Sequence, residues 1–86
     1  MTQVGDTVIY TDEIRRDHNA LVTAVWSPNC INVVFTSSDE SKSDSYGRQI
    51  ERSTSVSRYE ESNTYGRCFR EVGVEATFEQ HHPLQA

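Results

Sequence analysis

The fold of this chain is decided by residues 20–36, which read ALVTAVWSPNCINVVFT. Two runs of β-branched and aromatic residues flank Ser27-Pro28-Asn29, which is a typical turn sequence. Because so few residues join them, we expect Ala20–Trp26 and Ile31–Thr36 to pair as a β-hairpin. The first of these runs has few polar breaks, so it is predicted to be a largely buried strand.

A third strand is predicted upstream, at Thr7–Tyr10, because β-branched and aromatic residues there follow the turn formers Gly5-Asp6. The first half of the chain is therefore predicted to be a three-stranded meander. A helix is considered only between about Asp12 and Leu21, where Asn19 and the short apolar spacing argue against it.

The second half begins with Ser37–Ser45, which has no apolar side chain and is predicted to be an exposed loop. Arg48–Val56 follows as a weak strand. Its residues Ile50, Thr54 and Val56 are separated by even numbers and should share one face.

A second polar loop is predicted at Ser57–Thr64, followed by a strand at Cys68–Val72. Apolar and polar residues alternate between Val74 and Phe78, which indicates a short sixth strand. The segment Gln80–Ala86 is predicted to be a flexible tail.

Five or six short strands with long polar loops predict an all-β fold, a small SH3-like antiparallel barrel. A flat sheet of this size would leave its edges and one apolar face exposed. With 86 residues there is room for one domain, residues 1–79, before the tail at 80–86. Hydrophobic residues make up 35% of the chain, so the core must be thin. We therefore expect a ligand, a partner or self-association as a homo-oligomer to add stability.

Charge limits the classes of partner. The net charge of −5 argues against non-specific binding of duplex DNA, which requires clustered cations. No apolar run is long enough to span a membrane, and Met1–Val4 does not resemble the start of a signal peptide, so a cytoplasmic protein is expected. All basic residues except Lys42 are arginines, which suit planar recognition of phosphate or carboxylate.

Neither a metal site nor a catalytic signature is visible. Cys30 and Cys68 lack CxxC spacing and are predicted to be free thiols that pack as small hydrophobes. The acids of Asp39–Asp44 lack the order of an EF-hand, and His18 and His81 do not form an HxxxH pattern. We expect no metal, no cofactor and no enzymatic activity, because so short a chain has little room for a deep, dry pocket.

The hexapeptide SDSYGR at Ser43–Arg48 is echoed 19 residues later by SNTYGR at Ser62–Arg67. One interpretation is a turn that recurs for backbone reasons. The other is a pair of ligand-binding loops, in which Tyr stacks on a base, Arg binds phosphate, and Gly lets backbone N–H groups approach an anion. On that interpretation the ligand-binding residues are Tyr46, Gly47, Arg48, Arg52, Ser53, Thr54, Tyr65 and Arg67.

Residues 4–56 also carry a family resemblance, on VGDTVIY at 4–10, NALVTAVW at 19–26, INVVF at 31–35 and DSYGRQIERSTSV at 44–56. These segments resemble small SH3-like and KOW-like barrels encoded by bacteriophages. The resemblance implies a small barrel fold and a viral protein, and the group brings no assigned activity with it.

The sequence therefore predicts two alternative functions. The first is a non-enzymatic phage accessory protein that sequesters a phosphate-bearing nucleotide signal as a counter-defence, by analogy of size and charge with phage proteins that bind cyclic nucleotides. The second is a protein–protein interaction module, either a virion component or an acidic inhibitor of a host protein. The first depends on Arg48 and Arg52. The second depends on the acidic residues Asp39, Glu40, Glu75 and Glu79.

Overall fold

Seven β-strands form the regular structure of residues 2–60 and 66–74, which are the residues described by the computed structural model. That part of the chain contains no helix long and apolar enough to cross a membrane. The strands are β1 (Thr7–Thr11), β2 (Asp17–Ser27), β3 (Cys30–Thr36), β4 (Ser43–Asp44), β5 (Gly47–Arg48), β6 (Ile50–Arg58) and β7 (Cys68–Glu71).

Five of these strands close into a barrel in the order β1-β2-β3-β6-β7, and β4 and β5 form a separate hairpin. Neighbouring barrel strands are antiparallel except β6 and β7, which run parallel where Ser57 pairs with Cys68 and Arg58 with Phe69. A ring with an odd number of strands must contain a parallel pair, because alternating directions cannot close on themselves. The predicted all-β, SH3-like barrel is confirmed, with its one parallel pair at the closure.

The core is small, as its composition requires. Phe69 is fully buried and packs among aliphatic residues from four other strands. Both cysteines are free, Cys68 buried and Cys30 half-buried, which confirms the prediction for them. The buried cluster consists of Val8, Tyr10, Ala20, Val22, Ile31, Val33, Val56 and Phe69, with Val25 and Phe35 packed against it.

Strand β2 is longer and more exposed than predicted. It alternates between faces, so Ala20 and Val22 are buried while Leu21 and Trp26 lie on the outer surface. The prediction of a largely buried strand was wrong, because an antiparallel barrel wall buries only one face. A helix at Asp12–Leu21 is also absent from the described structure, because β2 begins at Asp17.

A β-bulge in β6 overturns the predicted face of that strand. Ile31 pairs with Val56 but Val33 pairs with Ser53, so β6 has one more residue than β3 across this interval. Ser55 takes a left-handed φ of 54° at the bulge. The extra residue reverses the alternation. Val56 and Ser53 are therefore buried, and Ile50 and Thr54 are exposed.

The predicted loops are also corrected. Ser37 is buried rather than exposed, and the hairpin of β4 and β5 lies partly within the segment predicted to be a loop. Ser57 and Arg58 belong to β6, which shortens the second predicted loop. In the predicted sixth strand, Val74 is not in a strand, while residues 75–79 and the tail lie outside the described residues.

The bulge can be tested by comparing two apolar residues of β6. We expect Val56→Ala to lower the free energy of unfolding by about 2 kcal/mol, because Val56 is fully buried. Ile50→Ala should change it by less than about 0.5 kcal/mol, because Ile50 is 62% exposed. Urea denaturation at low protein concentration measures both values. Equal losses would contradict the bulge.

Candidate functional site

A concavity of about 310 Å³ opens at one end of the barrel, where β1 and β3 end and β6 begins. We call it the mouth site. It has an aromatic floor, two arginines and three carboxylates on its walls. Its lining residues are Tyr10, Asp12, Glu13, Phe35, Ser38, Glu51, Arg52, Ser53 and Arg67.

The opening exists because the barrel closes over only a short distance. In the described residues, β6 pairs with β7 at Ser57 and Arg58 alone. Among the described residues, the earlier part of β6, which begins at Ile50, does not pair with β7. Side chains from the start of β6 therefore face the space between the two strands instead of a continuous barrel wall.

Two arginines flank this space. Arg67 lies just before β7, and its Nη1 donates a hydrogen bond of 2.6 Å to the Ser53 hydroxyl oxygen. Ser53 is buried because the bulge turns it inward. Arg52 is the neighbouring residue on β6 and is exposed. Within the described chain, no group accepts a hydrogen bond from the Arg52 guanidinium or forms an ion pair with it.

The floor is aromatic. The Tyr10 and Phe35 ring centroids lie 4.8 Å apart, and those of His18 and Phe35 lie 4.7 Å apart. Tyr10 and His18 are direct partners in the register of β1 and β2. Tyr10 and Phe35 therefore give the mouth site an aromatic base beneath its charged walls, and His18 packs against both rings without lining the site.

Asp12 is held by its own turn between β1 and β2. Its Oδ2 lies 2.8 Å from His18 Nε2, and its Oδ1 accepts the backbone N–H groups of Ile14 and Arg16. Burial raises the pKa of Asp12, but the hydrogen bonds from His18 and the two backbone groups outweigh it, so the pKa lies below its ordinary value.

Glu51 also has partners of its own. It accepts a hydrogen bond from the buried Ser37 hydroxyl, and Lys42 Nζ lies 3.5 Å from the same carboxylate oxygen. The Ser37 hydrogen bond is the main reason that the pKa of Glu51 is lowered. Asp12 and Glu51 therefore stay ionised without drawing on the guanidinium groups of the mouth site.

Three of the predicted ligand residues, Arg52, Ser53 and Arg67, come together in the mouth site. Thr54 is exposed and does not line it. Gly47 and Gly66 have the left-handed φ values of 111° and 74° that the sequence predicted for both turns.

The first YGR turn does not contribute to the mouth site. Tyr46 is 97% exposed at the tip of the β4–β5 hairpin, and Gly47 follows it. Arg48 Nη1 donates to the carbonyl oxygen of Ser37 at 2.8 Å, so its visible role is to tie the hairpin to the barrel. Tyr65 lies outside the described residues, as do the three residues before it in the second hexapeptide.

Sequence reasoning missed the other six lining residues, which are Tyr10, Asp12, Glu13, Phe35, Ser38 and Glu51. The spacing of Asp12 and His18 carried a usable signal. If the β1–β2 hairpin had been predicted around Asp12–Arg16, the register would have placed Tyr10 opposite His18 at the mouth of the barrel.

The acidic residues predicted to contact a protein partner are Asp39, Glu40, Glu75 and Glu79. Asp39 and Glu40 are exposed, and Asp39 accepts hydrogen bonds from the Ser41 backbone N–H and hydroxyl. Glu75 and Glu79 lie outside the described residues. Across residues 2–60 and 66–74, no group of three or more His, Cys, Asp or Glu side chains is arranged to hold a metal ion.

A comparison of the chain with protein-family models, curated proteins and solved structures gives no match. We therefore infer function from the geometry of the mouth site.

Acid should destabilise the protein through Asp12. Its pKa in the folded protein lies below the ordinary 3.8, so its stabilising effect is complete above that pH and is lost as the pH falls through the lower folded-state value. We expect Asp12→Asn to lose about 1 kcal/mol of stability at pH 7 and to lose less than wild type on further acidification. Thermal denaturation between about pH 6 and pH 2 measures this. Parallel pH profiles would contradict the role of Asp12.

Proposed function

We propose that this protein is a non-enzymatic binding module that captures a phosphate-bearing nucleotide at the mouth site. The observation that carries the proposal is the convergence of Arg52 and Arg67 beside the Ser53 hydroxyl, on the rim of a concavity with an aromatic floor. Planar guanidinium groups bind phosphate oxygens in pairs, and a neighbouring hydroxyl adds a further donor.

The carboxylates of the site favour a nucleotide over a simple anion. Asp12, Glu13 and Glu51 share the lining with Arg52 and Arg67, so the walls offer acceptors as well as donors. Inorganic phosphate at neutral pH offers few hydrogen-bond donors for those acceptors. A nucleotide supplies base amino groups and ribose hydroxyls together with phosphate, and so satisfies both kinds of wall.

The size of the site sets the scale of the ligand. A volume of about 310 Å³ lies at the small end of the roughly 300–1,000 Å³ range of ligand sites. This suits one nucleotide unit, either free or as part of a larger cyclic molecule whose other units extend past the open rim.

Capture and release leave the ligand unchanged, so sequestration needs affinity and not a reacting group. The more specific hypothesis, in which a phage uses this protein against a bacterial nucleotide signal, comes from the resemblance of residues 4–56 and stays a prediction. The mouth site supports nucleotide capture whichever organism encodes the chain.

The direct test is a binding screen with variants. Nucleoside monophosphates, cyclic dinucleotides and cyclic trinucleotides are compared with the matching nucleosides and with inorganic phosphate. A ligand at 100 times its Kd should stabilise the fold by about 2.7 kcal/mol, which a thermal-shift assay detects readily. We expect a shift with at least one nucleotide, and little or none with its nucleoside or with inorganic phosphate.

Calorimetry with variants then locates the binding site. Arg52→Gln and Arg67→Gln should each weaken nucleotide binding by about 10- to 100-fold, because each removes a charge-assisted hydrogen bond. The matched control is Arg58→Gln, which removes one positive charge near the other end of the barrel, where Arg58 contacts Glu71 and Pro28. Equal weakening in all three variants would contradict the proposal, as would the absence of binding by any nucleotide.

A further inference from the structure

The outer surface of β2, β3 and β6 forms a second feature, which we call the outer sheet face. Leu21, Val34 and Arg52 are neighbours across the three strands. Trp26 lies at one end of this face and Ile50 at the other. Trp26 is 65% exposed, Ile50 is 62% exposed and Leu21 is 46% exposed.

The outer sheet face carries almost no charge. The chain contains 13 acidic residues, yet none points outward from β2 between Asn19 and Trp26, from β3, or from β6 between Ile50 and Thr54. Glu51 falls within the last range but faces the mouth site. Arg52 supplies the one charge of the face. Its other outward side chains are apolar or belong to Asn and Thr.

Trp26 is held in place even though it is exposed. Its indole Nε1 donates a 2.9 Å hydrogen bond to Asn32 Oδ1, and the same oxygen accepts the backbone N–H of Ser55 at 2.9 Å. An exposed indole that is already ordered loses little conformational freedom when a partner covers it. This is the property expected of an anchor residue in an interface.

We propose that the outer sheet face is a self-association surface and that its occupant is a second copy of this chain. Each copy carries a net charge of −5, so two copies repel each other at long range. An acid-free face is where their contact costs least. A two-fold axis places Trp26 of one copy over the Ile50 end of the other, so apolar side chains meet at both ends.

The area of the face sets the strength of the dimer. Three strands of about seven residues project roughly 300 Å², well below the ≈ 800 Å² per partner of standard stable interfaces. We therefore expect a weak, reversible dimer that forms at high micromolar concentration.

Trp26 also provides the readout, because it is the only tryptophan in the chain. We expect its fluorescence emission to shift to shorter wavelength as wild-type protein is concentrated to roughly 0.5 mM, in step with a doubling of mass by sedimentation equilibrium. Leu21→Glu and Ile50→Glu should each weaken dimerisation at least 10-fold while keeping the circular dichroism spectrum of the wild type, since both side chains lie outside the core.

The matched control is Ile14→Glu, which adds the same charge at a residue that is 63% exposed and lies in the β1–β2 turn, outside the three strands of this face. It should dimerise like the wild type. Added salt should strengthen the dimer, because screening weakens the repulsion between two acidic copies. A monomer at every concentration, a dimer that leaves the Trp26 emission unchanged, or equal weakening by Ile14→Glu would overturn the proposal.

Discussion

The side chain of Asn32 accepts two hydrogen bonds, one from the Trp26 indole and one from the backbone N–H of Ser55. It thereby joins three neighbouring strands at the point where β6 bulges. The left-handed backbone at Ser55 is unfavourable for a residue with a side chain, and it persists because its surroundings fix it. The inward and outward faces of β6 depend on this arrangement.

Both proposed binding surfaces follow from the bulge. It turns Ser53 inward, where the hydroxyl meets Arg67 at the mouth site. It leaves Ile50 and Arg52 facing outward beside Val34. Arg52 consequently belongs to the outer sheet face while its long side chain also reaches the rim of the mouth site. The proposed ligand capture and the proposed self-association would share this guanidinium, so we expect each to influence the other.

The fold class was predictable because it depends on signals that lie close together in the sequence. The turn at Ser27-Pro28-Asn29 and the β-branched runs on either side define the β2–β3 hairpin, and the structure has it. The face of β6 was not predictable from its apolar residues, since Ile50 and Val56 are an even number apart and only a bulge separates their faces. Nothing in that stretch marks the bulge, because the residue that stabilises it is Asn32, on another strand.

Three of the nine lining residues of the site were predictable, for a similar reason. Arg52, Ser53 and Arg67 belong to segments rich in arginine and hydroxyl side chains, which indicated a binding site in the sequence. Asp12 and Phe35 belong to no recognisable motif in the sequence. They become part of the site only because β1 and β3 end at the same mouth of the barrel. The first copy of the YGR motif does not line the mouth site. Its arginine contacts Ser37 and so stabilises the fold.

The central claim is that the mouth site binds a nucleotide through its two arginines. The most direct measurement is a titration of ¹⁵N-labelled protein with the best nucleotide of the screen, at a protein concentration low enough to keep the chain monomeric, followed by amide and indole NMR shifts. We predict that the largest shifts fall on Asp12, Glu51, Ser53 and Arg67, and that the Trp26 indole resonance stays in place. Shifts centred on Trp26 and the outer sheet face, with the mouth site unchanged, would contradict the account.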